Sequence, residues 1–335
     1  MTRTSNDFSQ YVAILGRGKT KTRALTLVEA QTAMDLILDD KVEPEQLGAF
    51  LMLMRIKEET PEEIAGFVRS VRTHMDLPSS VPQVDFDWSS YAGKRRQLPW
   101  YLLSVLLLAR NGFKIFMHGT EGHTPGRIYT RDALQFLGLK VAENLSQAAD
   151  QIASSNFSYI PLEILSPKLK EIIELRPVLG LRSPVHSLSR MINPFDGKCS
   201  IQGIFHPSFM ETHQEAAIQL GMEHMAVFRG EGGEGERRPH KPCEIWTVHG
   251  KTTDIERWPP LIPEPRQAPD ENMELGDLLK LWSGELDHEY GEAAVIGTLA
   301  IALKAIGRAD SIDLAVQVAR DMWAQRDKAQ FPKVA

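Results

Sequence analysis

The stretch LMRIKEETPEEIAG, residues 53–66, carries the end of one helix and the start of another. Thr60 and Glu63 have the spacing of a capping box, in which hydroxyl and carboxylate satisfy two amides that a helix start leaves open. Pro61 falls at the first helical position, where its missing N–H costs nothing. Beyond the cap, Ile64, Phe67, Val68 and Val71 recur on one side of a helix. Before it, Gln46 to Lys57 (QLGAFLMLMRIK) is apolar except near its ends, which predicts a buried helix.

Toward the N-terminus, Leu25, Val28, Met34, Leu36 and Ile37 fall mostly at helical spacing. The linker DLPSSVPQV closes this first unit, assigned to residues 1–76. Downstream the pattern alternates. Pro99 to Arg110 reads as an apolar helix and Gly112 to Met117 (GFKIFM) as a strand ending near Gly119. Arg131 to Leu137 reads as a helix, and Phe157–Ile160, Ile201–Phe205 and Met225–Phe228 as strands. A helix is predicted from Pro207 to Leu220, and a hairpin from Glu244–Val248 to Asp254–Trp258 across His249 and Gly250. Glu256 to Asp270 is proline-rich and predicted irregular, and two helices follow near Ala293–Ala305 and Ile312–Trp323. Such alternation predicts an α/β sheet.

The 335 residues are 42% hydrophobic and 24% charged, ordinary values for a globular protein with a sizeable core. A net charge of −6 excludes a globally basic chain but leaves room for a local basic groove. Two cysteines, Cys199 and Cys243, make neither a disulfide framework nor a zinc site by themselves, so reduced thiols are expected. The first residues, MTRTSNDFSQ, lack the apolar core of a signal peptide, and the run from Leu102 to Ala109 is too short to span a bilayer. A cytoplasmic protein with no membrane partner is the expectation.

Three basic clusters stand out. Lys94-Arg95-Arg96 precedes the helix that Pro99 starts, and three cations there suit the phosphates of a polymer. Tyr91 beside them suits base stacking, as does Trp88 unless it belongs to the core. Arg237, Arg238 and Lys241, with His240, form a second cluster on an expected flexible loop. Arg17, Lys19, Lys21 and Arg23 form a third, read as a solvated face. Gly230, Gly232 and Gly235 match a dinucleotide fingerprint, but Pro239 and Pro242 follow where a helix should open. Glu231, Glu234 and Glu236 would also repel a pyrophosphate, so a mobile surface loop is expected. His118 reads as a structural residue at a strand end, with no carboxylate partner identifiable in the sequence.

LMRIKEETPEEIAG also resembles the N-terminal helical domain of anthranilate phosphoribosyltransferases. The resemblance resumes at RPVLGLRSPVHSLSRMINP (176–194), IFHP (204–207) and GRADSIDLAVQVAR (307–320). It implies a small all-helical domain beside a larger α/β domain with a central mixed sheet, shared with class II nucleoside phosphorylases, and a homodimer joined through the helical domain. It also implies that residues 166–190 return to pack on the helical unit, with Leu169, Ile172 and Ile173 as the apolar face, leaving 77–165 and 191–335 to the α/β unit.

The departures fall where the family does its chemistry. Its G-T-G-G-D turn, whose glycines let amides approach pyrophosphate, corresponds to Asp87-Trp88-Ser89-Ser90-Tyr91-Ala92-Gly93-Lys94. Its K-H-G-N-R becomes Met117-His118-Gly119-Thr120-Glu121, which removes a cation and turns an arginine into an acid. Its magnesium-holding D-E pair becomes Gly235-Glu236, leaving Glu236 as the remaining metal-ligand candidate. Arg176 matches the arginine that contacts the anthranilate carboxylate and Arg182 the arginine of its R-T pair, so both are anion-binding candidates with His118 and Gly119.

SYAGKRRQ, VHSLSRMINPF and FRGEGGEGERRPHKPCEI resemble the divergent YbiB-type branch of this family more than the enzymes. That resemblance implies nucleic-acid binding, single- or double-stranded, by a basic groove on a dimer, without anthranilate phosphoribosyltransferase activity and without a cofactor. The competing expectation is an active phosphoribosyltransferase that uses magnesium and a different acceptor.

Overall fold

The computed structural model describes residues 7–18, 20–122, 124–262 and 272–332. Lys19 and the proline-rich residues 263–270 lie outside them.

Four helices open the chain: α1 (Ser9–Gly16), α2 (Leu27–Leu38), α3 (Pro44–Lys57) and α4 (Pro61–Thr73). The capping box at Thr60 and Glu63 forms as its spacing predicts, and Thr26 with Glu29 makes a second. Helix α3 buries Phe50, Leu51 and Met54, but Ile56 is 80% exposed, so the helix is only half covered.

Seven strands form one sheet: β1 (Phe86–Ser90), β2 (Ile115–Gly119), β3 (Phe157–Pro161), β4 (Cys199–Ile204), β5 (His224–Arg229), β6 (Cys243–His249) and β7 (Thr252–Trp258). Their order is β3-β2-β1-β4-β5-β6-β7. The first five are parallel and the last two antiparallel, with His249 opposite Thr252 in the hairpin. Asp254 to Trp258 thus lies in the second strand of the expected hairpin, and the irregular segment expected from Glu256 begins only after Trp258.

Successive strand residues face opposite sides. Phe86, Trp88, Ile115 and Met117 face one core, shared with helices Tyr101–Arg110 and Glu289–Ala305. Phe116, Ile160, Met225 and Val227 face the other, which runs without a break into the N-terminal helices. Leu169, Ile172 and Ile173 of the helix Pro167–Glu174 are buried in this second core with Phe50 and Leu51. Lys168 pairs with Asp40 at the end of α2, and the short helix Val185–Leu188 packs on α4.

The order of the sheet reverses at β1 and β4, where crossover connections leave in opposite directions. In open α/β sheets such a point opens a crevice at the carboxyl ends of the strands.

Candidate functional site

Four segments meet at that crevice. The turn Tyr91-Ala92-Gly93-Lys94 follows β1, Phe205-His206 follows β4, and Gly230 to Glu236 follows β5. Residues 176–190 reach across from the side of the helical unit.

The glycine-rich segment after β5 is not the surface loop expected from its composition. Gly233, Glu234, Gly235 and Glu236 are all buried. The segment folds back over β4, and a side chain on Gly203 or Gly230 would lie within about 2 Å of Glu234 backbone atoms. Those glycines allow a close approach that any larger residue would block.

This fold-back brings acids onto the turn after β1. The Ala92 and Gly93 amides donate to Glu234 Oε1 at 2.7 and 2.5 Å. Gly93 has φ +69°, which aims successive amides the same way. Arg127 Nη1 donates to the Ala92 and Gly93 carbonyls at 2.8 and 3.1 Å, bracing the turn from behind. The two amides of this turn thus already hold an anion, the chain's own carboxylate.

Lys94 is fully buried, so it offers no charge to solvent. Its ammonium sits 2.5 Å from Glu236 Oε1 and 2.6 Å from Glu231 Oε2, and the Tyr101 amide donates to Glu236 Oε2 at 2.9 Å. Burial pulls the lysine pKa down, but the two carboxylates outweigh it and hold it raised. Burial pushes the Glu236 carboxyl up to about 7, against the pull of Lys94.

Magnesium does not fit these residues. The oxygens a divalent ion would need are engaged by an ammonium and an amide. Among the described residues no group of three or more His, Cys, Asp or Glu is arranged to hold a metal. Glu236 is therefore corrected from a ligand candidate to a partner of Lys94.

Several other assignments change in the same way. Tyr91 is 2% exposed; its hydroxyl lies 2.7 Å from His118 Nδ1 and Arg190 stacks over its ring, so it presents no face to a base. His118 is buried and does have a carboxylate partner, Asp87 Oδ1 at 3.3 Å on the neighbouring strand. Gly119 is packed against the Ser90 carbonyl. Neither His118 nor Gly119 reaches the crevice. Arg237 is buried under Trp258, donates to the Pro259 carbonyl and has its pKa lowered to about 10 by burial. Trp88 is core. Both cysteines are buried, which raises their thiol pKa values.

Arg176 and Arg182 do line the crevice, a cavity of about 350 Å³. Arg55 of α3, Arg127 and Arg190 join them, with His186 and His206, and no acidic residue is among the described residues lining it. Loss of surrounding water, then repulsion from Arg176 and Arg127, holds the Arg182 pKa below its ordinary value. Arg176 Nη1 donates to Thr124 Oγ1 at 2.9 Å. A smaller adjoining cavity of about 110 Å³ shares Arg55, Arg182 and Arg190 and brings in one carboxyl, Glu59, whose pKa is raised by burial.

Phe205 stands at this crevice, 49% exposed, with the Arg229 guanidinium 5.8 Å from its ring centre. Outward from it the cations continue. Arg229 lies close enough to Arg238 to depress its pKa, second to burial, and Arg238 and Lys241 together do the same to His240. Lys241, Arg95 and Arg96 are exposed, and Arg238 is half-buried. Phe205, Arg229, Arg127, Arg55 and Arg190 were not singled out by the sequence. Each is an isolated letter there, and only the sheet and the returning segment gather them.

Two family descriptions match the chain. A glycosyl transferase family helical bundle domain covers residues 10–75, and a glycosyl transferase family α/β domain covers residues 102–325. An anthranilate phosphoribosyltransferase of Metallosphaera sedula is 26% identical over 69% of this chain and 66% of its own length, just under two thirds. An uncharacterized protein of Aquifex aeolicus is 26% identical over 89% of this chain and 93% of that protein. An anthranilate phosphoribosyltransferase of Thermomicrobium roseum is 26% identical over 92% of both. Among solved structures, the anthranilate phosphoribosyltransferase of Thermus thermophilus superposes with a TM-score of 0.74 at 21% identity, covering 95% of this chain and 94% of that one. The Saccharomyces cerevisiae enzyme in complex with PRPP and Mg gives 0.78 at 15% identity, covering 96% and 94%. At these identities the structures establish the fold.

Proposed function

We propose, for a chain that belongs to the glycosyl transferase family with these helical-bundle and α/β domains, that it binds nucleic acid with little preference for sequence and does not transfer phosphoribosyl groups to anthranilate. The observation that carries the binding half is the run of cations from the crevice outward. Arg229, Arg238 and Lys241 continue from the arginines that line it, on a protein whose net charge is −6. A polyanion is attracted by such a local field even when the whole protein is acidic. Arg95 and Arg96 are exposed and extend the proposed surface, whereas Lys94, Arg237 and Tyr91 do not take part.

The inactive half rests on Glu234. Its carboxylate occupies the two amides of the turn that corresponds to the family's phosphate turn, and Lys94 occupies the acids that would face a metal. A pyrophosphate would have to displace a covalently tethered anion at effectively high local concentration. No cofactor is required for the proposed role. Turnover of phosphoribosyl pyrophosphate with any acceptor would overturn this half.

We also propose a homodimer through the helical unit, in the cytoplasm. Val28 on α2 and Ile56 on α3 are 69% and 80% exposed, which suits a covered face. Light scattering on a sizing column measures the stoichiometry, and a monomer would refute it.

The binding test is fluorescence anisotropy of labelled single-stranded DNA over a salt series. Each phosphate contact contributes about 0.7 to the log–log slope for single strands. Replacing Arg95, Arg96, Arg238 and Lys241 with alanine is expected to weaken binding to oligonucleotides of any sequence and to flatten the slope. Absence of binding by the unaltered protein at low salt refutes the reading.

A further inference from the structure

We infer that the arginine-lined crevice takes a phosphate monoester attached to a base, and that within the proposed nucleic-acid role this is the phosphorylated end of a single strand. This rests on the nucleic-acid reading but specifies a different site from the outer cations.

The charge of the crevice is the first ground. Arg55, Arg127, Arg176, Arg182 and Arg190 line about 350 Å³, with no carboxylate among the described lining residues. A planar carboxylate is satisfied by one guanidinium in a bidentate pair. Arg190 already donates to the Gly203 and His186 carbonyls and Arg55 shares the adjoining cavity with Glu59, but Arg127, Arg176 and Arg182 around one small space still call for more negative charge than that. A terminal phosphate carries close to two charges at neutral pH and three acceptor oxygens. An internal phosphodiester carries one charge and offers fewer free acceptor oxygens to the guanidinium groups.

The second ground is an unfilled donor. Arg127 uses Nη1 on the Ala92, Gly93 and Gly232 carbonyls, while its Nε is buried without a hydrogen-bond partner. Nitrogens of Arg72, Arg131, Arg237 and Arg238 are in the same state, but of these residues it is Arg127 that lines the crevice, where a ligand can supply the acceptor. Beyond the loss of surrounding water, Arg182 also feels repulsion from Arg176 and Arg127, which an anion between the three would relieve.

The third ground selects the rest of the ligand. Phe205 lies at the same crevice, half exposed, with Arg229 beside its ring. An exposed aromatic ring next to a phosphate site is the arrangement that stacks a base while cations hold its phosphate. The neighbouring amides of Ala92 and Gly93 add nothing, because Glu234 already occupies them. The phosphate is therefore held by side chains, and no metal is needed to bridge it. From the crevice, the strand would leave past Arg229 toward Arg238 and Lys241.

The test uses the full chain and three probes: a labelled single-stranded oligonucleotide with a 5′-hydroxyl, the same oligonucleotide with a 5′-phosphate, and a nucleoside 5′-monophosphate in competition. The 5′-phosphate is expected to tighten binding by about tenfold or more, the scale of charge-assisted hydrogen bonds. Arg182→Ala and Phe205→Ala should each remove most of that gain, weakening the 5′-phosphate probe by a larger factor than the 5′-hydroxyl probe. If the two oligonucleotides bind equally and the monophosphate competes in an Arg182-dependent way, the site stands and its ligand is a free nucleotide. If they bind equally and the monophosphate does not compete, the site is refuted while the nucleic-acid reading survives. If no probe binds, both fall.

Discussion

The Lys94 ammonium lies 2.5 Å from Glu236 Oε1, and both side chains are completely buried. A sequence that reads as three exposed cations therefore hides its first one as an internal counter-ion. Removing one partner of a buried pair leaves the other uncompensated, at a cost of about 3–5 kcal/mol. Lys94→Met is expected to lose stability on that scale in urea unfolding at pH 7. Without the ammonium, the buried Glu236 favours its protonated form more strongly than the unfolded chain does. Its folded pKa, already raised to about 7 beside Lys94, then rises further, so the deficit of the variant should be largest above pH 7 and shrink as pH falls through 7. A deficit that grows on acidification would contradict this account. Magnesium should leave the melting temperature of the unaltered protein unchanged.

Glu234→Ala opens the turn after β1. The Ala92 and Gly93 amides lose their acceptor, and each unsatisfied buried donor costs about 1–3 kcal/mol. Pyrophosphate should then raise the melting temperature of the variant by more than that of the unaltered protein, since the amides are vacated in one and filled in the other. Equal response of the two proteins would show that Glu234 is not what occupies the anion position.

Glu63 ties three elements together. Its Oε1 accepts from the Leu25 amide at 2.8 Å, and its Oε2 from Lys57 Nζ at 2.6 Å and the Thr60 amide at 2.8 Å. Glu63→Ala is expected to destabilise by about 3 kcal/mol, and Glu63→Gln by less because Oε1 keeps its role. Chemical unfolding measures both, and a loss below that of an ordinary exposed cap would count against the arrangement.

His213 sits at one end of a buried polar chain on the sheet. It meets Gln202 Oε1 at 2.7 Å, Gln202 Nε2 donates to Ser200 at 3.0 Å, and Ser200 lies 3.4 Å from Asp87. Burial lowers the His213 pKa to about 3, with a smaller push from Arg190. The folded state holds it neutral while the unfolded chain protonates near 6.5, so its contribution is complete above pH 6.5 and is lost as pH falls toward 3. The slope of stability against pH in that window should reach about 1.4 kcal/mol per unit from this group. His213→Gln should flatten it. An unchanged acid limb would refute the assignment.

The cap at Thr60, the buried face of α4 and the hairpin at His249 were legible in the sequence because each depends on residues a few positions apart. Strand β1 was not read, although it lies at the switch point of the sheet. FDWSS is short and half polar, and its Asp87, Ser89 and Ser90 are tolerable in a buried strand only through partners such as His118, Ser200 and Thr130 on other segments.

The sequence by itself determined the family and the two-part architecture, because these are carried by local pattern and by motifs that survive in order along the chain. Only the tertiary structure decided which charges face water. Lys94 and Arg95 are adjacent in the chain, yet one is fully buried and the other exposed. Burial of a cation depends on whether distant acids are brought to meet it, and Glu231 and Glu236 reach Lys94 from far along the chain through the fold-back over Gly203. The crevice arginines are gathered in the same way: they come from α3, the segment after β2, and the stretch 176–190, and only the fold places them around one cavity.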